Sequence, residues 1–261
     1  MVHGGPGAHH DYMLPQMLAL GDEHDLLFYD QRGGGRSRTD GTGTITWETH
    51  VDDLAALTRE LVPGPLTLVG YSWGGLLSLL YASAANGGAT AGASPVARLV
   101  LIAPASVTRE HRRQFETEFA RRQASEWVRD QRAALAASGL RESDPEGYRQ
   151  RGFELSVSGY FADPAAAQNL TPFRVTSRVQ QSVWESLGDW DVRPALQSLQ
   201  IPALVVHGTA DPIPVDSSKE IANALHARLV VLDGCGHVPY VECAGPLFAA
   251  IRGFLNDTPA E

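Results

Sequence analysis

The chain has 261 residues, of which 43% are hydrophobic and 20% charged, and its formal net charge is −9. This length suits one globular domain with an insertion, and the acidic balance argues against a nucleic-acid partner, which requires a basic face. No apolar run approaches the roughly 18 residues that a membrane span needs, so no membrane partner is expected. Two cysteines, Cys235 and Cys243, are too few for a disulfide framework. Without a secretory signal pattern, they predict a cytoplasmic protein.

Short apolar runs punctuate the sequence and predict strands. Their lack of polar alternation is typical of a sheet that is covered on both faces. Helical patterns separate them, so the sequence predicts an α/β fold with a doubly wound, mostly parallel sheet. The runs are residues 25–29, 66–69, 99–102, 203–206 and 229–232.

The long interval between Ile102 and Ile201 breaks this alternation. It is rich in Arg, Glu, Gln and Ala, and its pattern predicts helices within 109–137, 146–160 and 175–187. We interpret residues 106–195 as a helical lid, inserted into an α/β core made of residues 1–105 and 196–261. Outside the lid, helices are predicted at residues 47–61, 76–85, 217–226 and 246–255.

A serine between two glycines follows the predicted strand at 66–69. The segment Gly70-Tyr71-Ser72-Trp73-Gly74 leads from that strand into a helical pattern. A Gly-x-Ser-x-Gly sequence at such a junction is typical of a strained turn that exposes a nucleophilic hydroxyl at its tip. Ser72 is therefore predicted to be a catalytic nucleophile.

A serine nucleophile needs a base and an acid that orients the base. Asp211 follows the strand at 203–206, and His237 follows the strand at 229–232, so both lie on loops at the carboxyl edge of the sheet. Asp216 and Asp233 compete with Asp211 for the acid role, but their positions fit less well. We therefore predict Ser72, Asp211 and His237 as a catalytic triad.

The oxyanion of an acyl-transfer reaction needs two preorganised N–H donors. The residue after the serine, Trp73, supplies one expected donor. The glycine-rich loop His3-Gly4-Gly5-Pro6-Gly7 is expected to supply the other, with Gly5 favoured. A simple turn is the alternative interpretation of this loop, because Gly and Pro are turn residues.

Three motifs carry a family resemblance. His-Gly-Gly-Pro-Gly at 3–7, Asp-Gln-Arg-Gly-Gly-Gly-Arg-Ser at 30–37 and Gly-Tyr-Ser-Trp-Gly-Gly at 70–75 resemble the proline iminopeptidase branch of the α/β-hydrolases. The resemblance covers about 1–105 and 195–256, and no motif is recognised in the lid. Relatives in this branch act as aminopeptidases, amidases, esterases or lactonases.

The resemblance carries two structural implications. Asp30 and Arg32 are expected to tie neighbouring loops together as scaffolding and to take no part in the chemistry. The family also has further N-terminal strands, of which this sequence retains only Met1-Val2-His3, so the expected sheet lacks its N-terminal strands and the sequence is expected to be shortened.

An aminopeptidase of this kind binds the substrate's free amine with lid carboxylates, and a buried ammonium needs such a charge partner. Glu154 and Glu185 are the candidates, since each has apolar or aromatic neighbours; an exposed helical glutamate is the alternative for both. Tyr71 and Trp184 are expected to line the substrate cleft. No metal and no cofactor are predicted, because His9-His10-Asp11 is not a recognised ligand spacing.

Three functions remain open from the sequence. The leading one is a serine hydrolase that forms an acyl-enzyme and cleaves an N-terminal residue or a small amide, as the resemblance to proline iminopeptidases implies. A carboxylesterase or lactonase is the first alternative, and a non-catalytic receptor with a hydrolase fold is the second. The expected partner is a small molecule or short peptide, and homo-oligomer formation is compatible with the sequence.

Overall fold

A computed structural model of the chain describes residues 1–41, 43–62, 64–86 and 94–257. In this structure, four parallel strands form one sheet in the order β1-β2-β3-β4. The four strands confirm four of the five predicted runs. The last four residues of the predicted core segment 196–261 lie outside the described residues. The strands are β1 Leu66–Tyr71, β2 Val96–Ile102, β3 Ala203–Gly208 and β4 Arg228–Leu232.

The sheet is apolar on both faces, as the unbroken hydrophobic runs predict. Val69, Val100 and Leu204 are in register across three strands and pack into a hydrophobic cluster on one face. Their neighbours Leu68 and Leu99 pack into a second cluster on the opposite face. Helices cover both faces, so the fold is the doubly wound α/β arrangement that the sequence predicts.

The predicted strand at 25–29 is wrong, since this segment has no regular secondary structure. Its neighbour is the N-terminal backbone, where the Met1 amino group donates to the Leu27 carbonyl at 2.8 Å. Val2 itself forms only an isolated parallel bridge to Gly70. A single hydrogen bond to the neighbouring backbone is too little to form a ladder.

Six α-helices belong to the core and six lie between β2 and β3. The core helices are α1 Leu14–Met17, α2 Trp47–Leu61, α3 Trp73–Asn86, α10 Val215–Leu225, α11 Pro239–Glu242 and α12 Ala244–Asn256. The intervening helices are α4 Arg109–Gln123, α5 Glu126–Ala137, α6 Leu140–Ser143, α7 Pro145–Val157, α8 Ser177–Ser186 and α9 Arg193–Leu196. These counts refer to the described residues. We call residues 106–195 the helical insertion.

Side-chain caps explain why the helical insertion is divided into separate helices. The side chains of Thr108, Ser125 and Asp144 accept hydrogen bonds from backbone N–H groups in the first turns of α4, α5 and α7. Each cap satisfies a donor that the helix itself leaves unpaired. The stretch at 109–137, whose pattern fits either one helix or two, is accordingly two helices that meet at Ala124-Ser125.

Within the described ranges, the longest helices are too short or too polar for any of them to pass through a lipid bilayer.

Candidate active site

Ser72 occupies the sharp turn between β1 and α3. Its φ of +52° is in the left-handed region, which a non-glycine residue adopts only where its surroundings impose it. The Ser72 N–H donates to the Ile102 carbonyl at 3.0 Å, and the Ser72 carbonyl accepts from the Ala105 N–H at 2.8 Å. These two bonds to the end of β2 and the residues after it hold the turn in its strained conformation.

The two glycines of the motif are required by close backbone contacts. A Cβ on Gly70 would collide with the Gly74 backbone, and a Cβ on Gly74 would collide with the Val2 backbone. Any side chain at these positions would therefore push apart β1, α3 and the N-terminal segment. The sequence motif thus reflects a steric requirement of the turn.

The structure brings Ser72, His237 and Asp211 into one hydrogen-bonded chain. The distance from Ser72 Oγ to His237 Nε2 is 3.0 Å, and the distance from His237 Nδ1 to Asp211 Oδ2 is 2.8 Å. A carboxylate only accepts, so Nδ1 carries the proton and Nε2 is free to accept from the Ser72 hydroxyl. This arrangement can remove a proton from Ser72 and return it later to a leaving group.

The environment of Asp211 keeps its carboxylate ionised. Burial opposes ionisation, but the nearby His237 and His207, together with the hydrogen bonds that Asp211 accepts, hold its pKa below the usual value. One of these bonds comes from the Ile213 N–H at 2.7 Å. Asp211 is therefore a fixed anion that can stabilise a protonated His237.

A second histidine, His207, was not identified from the sequence, and its hydrogen bonds hold the loop that carries Asp211. His207 is fully buried, and its Nε2 donates to the Ile213 carbonyl at 3.0 Å while its Nδ1 accepts from the Ser218 hydroxyl at 2.8 Å. Ile213 is the residue whose N–H holds Asp211. The apolar run at 203–206 locates His207 on a strand, but only the fold shows these partners.

The predicted oxyanion donors lie beside Ser72. Gly5 and Trp73 both line the cavity into which Ser72 opens, and Gly5 has a φ of +69°. In the described part of the chain, neither the backbone N–H of Gly5 nor that of Trp73 donates to another backbone or side-chain group. Two free donors beside a hydroxyl nucleophile can stabilise a developing oxyanion.

A buried glutamine joins the glycine-rich loop to the serine turn. Gln31 Nε2 donates to the His3 carbonyl at 2.8 Å, and Gln31 Oε1 accepts from the Trp73 indole at 2.8 Å. The His3 ring completes the connection, since its Nε2 accepts from the Gln31 N–H at 3.1 Å and its Nδ1 donates to the Gly4 carbonyl at 2.9 Å. The two expected oxyanion donors are therefore held by one hydrogen-bond network.

The helical insertion covers the histidine. The Tyr160 ring stacks on the His237 ring with centroids 5.1 Å apart. The backbone N–H of His237 donates to the Tyr160 carbonyl at 2.7 Å. Glu242 accepts from the N–H groups of Gly236 and Ala162, which joins the His237 loop to the insertion. Burial raises the pKa of Glu242 above its ordinary value. Glu242 was not identified as a site residue from the sequence.

The cavity beside Ser72 has a volume of about 370 Å³ and is mainly aromatic and apolar. Among the described residues that line the cavity, Arg112 is the one charged side chain and none carries a carboxylate. The guanidinium of Arg112 lies 4.1 Å from the centre of the Trp184 ring and donates to Glu116 at 2.8 Å. The aromatic lining residues are Tyr12, Tyr71, Trp73, Phe115, Phe119, Phe153, Tyr160, Phe173, Trp184 and Tyr240.

The structure places the remaining predicted site residues in two groups. Tyr71 and Trp184 line the cavity, as expected. Glu154 is bound outside it by Arg151 at 2.7 Å, and Glu185 is exposed and accepts from Gln181. Neither carboxylate is therefore positioned to bind an ammonium group inside this cavity.

Asp30 and Arg32 lie away from Ser72, with different contacts. Asp30 is buried and accepts from the backbone N–H groups of His10 and Arg36 at 2.9 and 2.8 Å. Arg32 pairs with Asp53, and both of these side chains are partly exposed. Asp30 joins two loops in the interior, whereas the Arg32 pair lies at the surface.

Comparisons with known proteins identify the same fold. A family model described as alpha/beta hydrolase fold matches residues 1–243. A proline iminopeptidase from Lactobacillus helveticus (strain DPC 4571) is 23% identical over 98% of this chain and 88% of its own length. A proline iminopeptidase from Lactobacillus crispatus (strain ST1) is 40% identical over 84 residues, which are 31% of this chain and 29% of that protein.

Solved structures of proteins with several different named activities resemble this chain to nearly the same degree. An esterase from Exiguobacterium antarcticum has a TM-score of 0.69 and 21% identity, covering 98% of this chain and 91% of that chain. A proline iminopeptidase from Mycobacterium smegmatis has a TM-score of 0.67 and 22% identity, covering 97% and 87%. An enol-lactonase from Burkholderia xenovorans LB400 has a TM-score of 0.65 and 22% identity, covering 98% and 90%. At these identities the likeness establishes the fold and not the substrate.

Proposed function

Because the chain belongs to the alpha/beta hydrolase family, we propose that it is a serine hydrolase that cleaves small esters or lactones through an acyl-enzyme. The observation that carries this proposal is the hydrogen-bonded chain of Ser72, His237 and Asp211, which opens into an apolar cavity with a single cationic side chain.

In the proposed reaction, Ser72 Oγ attacks the substrate carbonyl while its proton passes to His237 Nε2. Asp211 fixes the tautomer of His237 and stabilises the imidazolium that forms. The N–H groups of Gly5 and Trp73 stabilise the oxyanion, and each such donor contributes about 3 kcal/mol to the transition state. His237 then protonates the leaving alcohol. In the second half of the reaction, His237 removes a proton from water, which attacks the acyl carbon, and returns that proton to Ser72 Oγ as the acyl group leaves.

The charge of the cavity favours an ester or lactone over a peptide with a free amine. A buried ammonium group needs a carboxylate partner, and the described lining of the cavity supplies none. Arg112 would moreover repel a positively charged substrate. The ester carbonyl is neutral and makes no such demand on the site.

Proline iminopeptidase activity is the second candidate, and it is favoured by the similarity to proline iminopeptidases along the whole chain. It would require a carboxylate to reach the cavity from elsewhere. The third possibility, a receptor without turnover, is disfavoured because the Ser72–His237–Asp211 chain is complete.

The test is the burst and steady-state hydrolysis of p-nitrophenyl butyrate and of proline p-nitroanilide with a free amine. We expect turnover of the ester only, and Ser72→Ala should lower kcat by about 10⁴-fold or more. Ser198→Ala, which changes an exposed serine, is the matched control. Faster turnover of the anilide would support the iminopeptidase instead, and a folded protein that cleaves neither would support the receptor.

A further inference from the structure

We propose that a basic cleft beside the Ser72 cavity binds an anionic oxygen group, carboxylate or phosphate, at the far end of the substrate. This inference rests on the proposed hydrolase function and adds a substrate class to it. The cleft has a volume of about 990 Å³, and we call it the arginine cleft. It is lined by five arginines, which are Arg36, Arg38, Arg149, Arg174 and Arg178.

The arginines come from parts of the chain that are far apart in sequence. Arg36 and Arg38 belong to the loop after Asp30, and Arg149 lies on α7. Arg174 precedes α8, and Arg178 lies in the first turn of α8. The core and the helical insertion thus both contribute cations to one concave surface. A helix that is merely solvated would not produce such a convergence.

Most of these guanidinium groups lack a carboxylate partner within the described residues. Arg36 is satisfied, because it forms two hydrogen bonds to Asp11, at 2.9 and 3.0 Å. Arg38 and Arg178 donate only to backbone carbonyls, at 3.4 and 3.2 Å. In the part of the chain that the structure describes, Arg149 and Arg174 form no hydrogen bond or ion pair.

The acidic residues of the cleft do not balance these charges. Asp30 is bound by the backbone N–H groups of His10 and Arg36, and Asp11 is bound by Arg36. Glu146 is the one carboxylate of the lining that the described residues leave unengaged. Five arginines therefore face three carboxylates, in a protein whose net charge is −9.

The arginine cleft adjoins the Ser72 cavity. Phe153, Phe173 and Val175 line both spaces, so the two spaces meet at these three residues. A substrate that occupies both would place its reacting carbonyl at Ser72, an apolar segment along these three residues, and its far end among the arginines. This geometry extends the proposed substrates from small esters to longer esters that are apolar in the middle and charged at the far end.

Guanidinium groups suit an anionic oxygen group well. Each can donate two parallel hydrogen bonds to a carboxylate or phosphate. Cations held in one cleft repel one another, and a bound anion relieves that repulsion. A local positive field in an acidic protein also steers anionic substrates toward the site, an effect that salt screens.

The experiment compares p-nitrophenyl monoesters of dicarboxylic acids of six to twelve carbons with the same compounds capped as ω-methyl esters. We expect kcat/KM to be about tenfold higher for the anionic member at the chain length that reaches the arginines. We also expect this preference to fall at 0.5 M NaCl, where the Debye length is only a few ångströms. An ω-phosphate ester series distinguishes phosphate from carboxylate as the preferred anion.

The double variant Arg149→Gln/Arg174→Gln should reduce the anionic-to-neutral ratio of kcat/KM about tenfold, which corresponds to about 1.4 kcal/mol. Both side chains are exposed, so folding should be retained, and thermal unfolding checks this. Arg129→Gln is the matched control, since Arg129 is an exposed arginine of α5 outside the cleft, and its ratio should equal that of the wild type.

Binding to Ser72→Ala separates this inference from the proposed function. Calorimetric titration of Ser72→Ala with a dicarboxylic acid monoamide should show binding that the arginine double substitution weakens about tenfold. Equal kcat/KM for anionic and neutral esters at every length would overturn the arginine cleft while leaving the hydrolase intact. Arginine-dependent binding without any turnover in the wild type would overturn the hydrolase and leave the cleft.

Discussion

Asp211 is the residue whose chemical role is most directly open to test. Asp211→Asn keeps the acceptor for the Ile213 N–H but presents an amide to His237 Nδ1. The imidazole proton then shifts to Nε2, which can no longer accept from Ser72. We expect kcat for p-nitrophenyl butyrate to fall about 10⁴-fold, with little change in the thermal midpoint.

Asp216→Asn is the control for this prediction, because Asp216 is the competing acid from the sequence and is exposed on α10. Its kcat should equal that of the wild type. A kcat for Asp211→Asn within tenfold of the wild type would contradict the triad.

His3 predicts a dependence of stability on pH. Burial lowers the pKa of His3 to about 4 from an ordinary value of 6.5, and its two hydrogen bonds require the neutral ring. The unfolded chain therefore binds a proton between pH 6.5 and 4 that the folded chain does not. The neutral His3 ring therefore contributes about 3 kcal/mol to the free energy of unfolding above pH 6.5, and this contribution is lost as the pH falls to 4.

Urea unfolding at pH 7, 5.5 and 4.5 measures this contribution. His3→Gln should be less stable at pH 7 but should lose less stability as the pH falls. His50 also has a lowered pKa through burial and will leave some pH dependence in the variant. His24→Gln, at an exposed position, should keep the slope of the wild type, and an unchanged slope in His3→Gln would rule out this role for His3.

The conformation of the loop after residues 25–29 depends on hydrogen bonds to Asp30, because residues 25–29 form no strand. Asp30→Ala would leave the N–H groups of His10 and Arg36 without their acceptor. We expect a loss of about 3 kcal/mol in the free energy of unfolding, with a smaller effect on kcat than on stability. Chemical denaturation together with ester kinetics measures both.

Arg32→Ala provides the comparison within the same loop. Its pair with Asp53 is partly exposed, and such pairs contribute about 1 kcal/mol or less. A normal unfolding midpoint in Asp30→Ala, or a larger loss in Arg32→Ala, would contradict the scaffolding role of Asp30.

Elements with a local signal were predictable from the sequence. Four strands, the helix at 47–61 and the serine turn follow from apolar runs, periodicity and glycine spacing. The strand at 25–29 was wrong because strand formation requires a paired neighbour, which no local pattern encodes. Gln31 and Glu242 were missed for a related reason, since their roles come from contacts with residues distant in the sequence.

At the scale of the whole molecule, the cavity is a joint product of the core and the helical insertion. Ser72, Gly5 and Trp73 come from the core, whereas Phe153 and Trp184 come from the insertion. We therefore expect the sheet edge to determine the chemistry, and the insertion, together with Arg36 and Arg38 of the core, to determine which substrates are accepted. Related folds can hydrolyse different substrates by changing the second part alone.

Trp184 is where these two parts meet. Its ring lies 5.1 Å from that of Trp73 in the core and 5.8 Å from that of Trp190 in the insertion, with Arg112 packed against it. Trp184→Ala removes the indole that packs between the core and the insertion, which should lower the free energy of unfolding by about 3 kcal/mol and lengthen the cavity. We expect the ratio of kcat/KM for p-nitrophenyl octanoate to that for the acetate to rise about tenfold.

Trp184→Phe retains an aromatic ring and should keep both the stability and the ratio close to those of the wild type. If Trp184→Ala lost stability without changing the ratio, Trp184 would hold the insertion on the core without bounding the substrate. A changed ratio at retained stability would instead place the substrate's acyl chain against the insertion. The same surface that covers the catalytic chain would then determine which esters reach it.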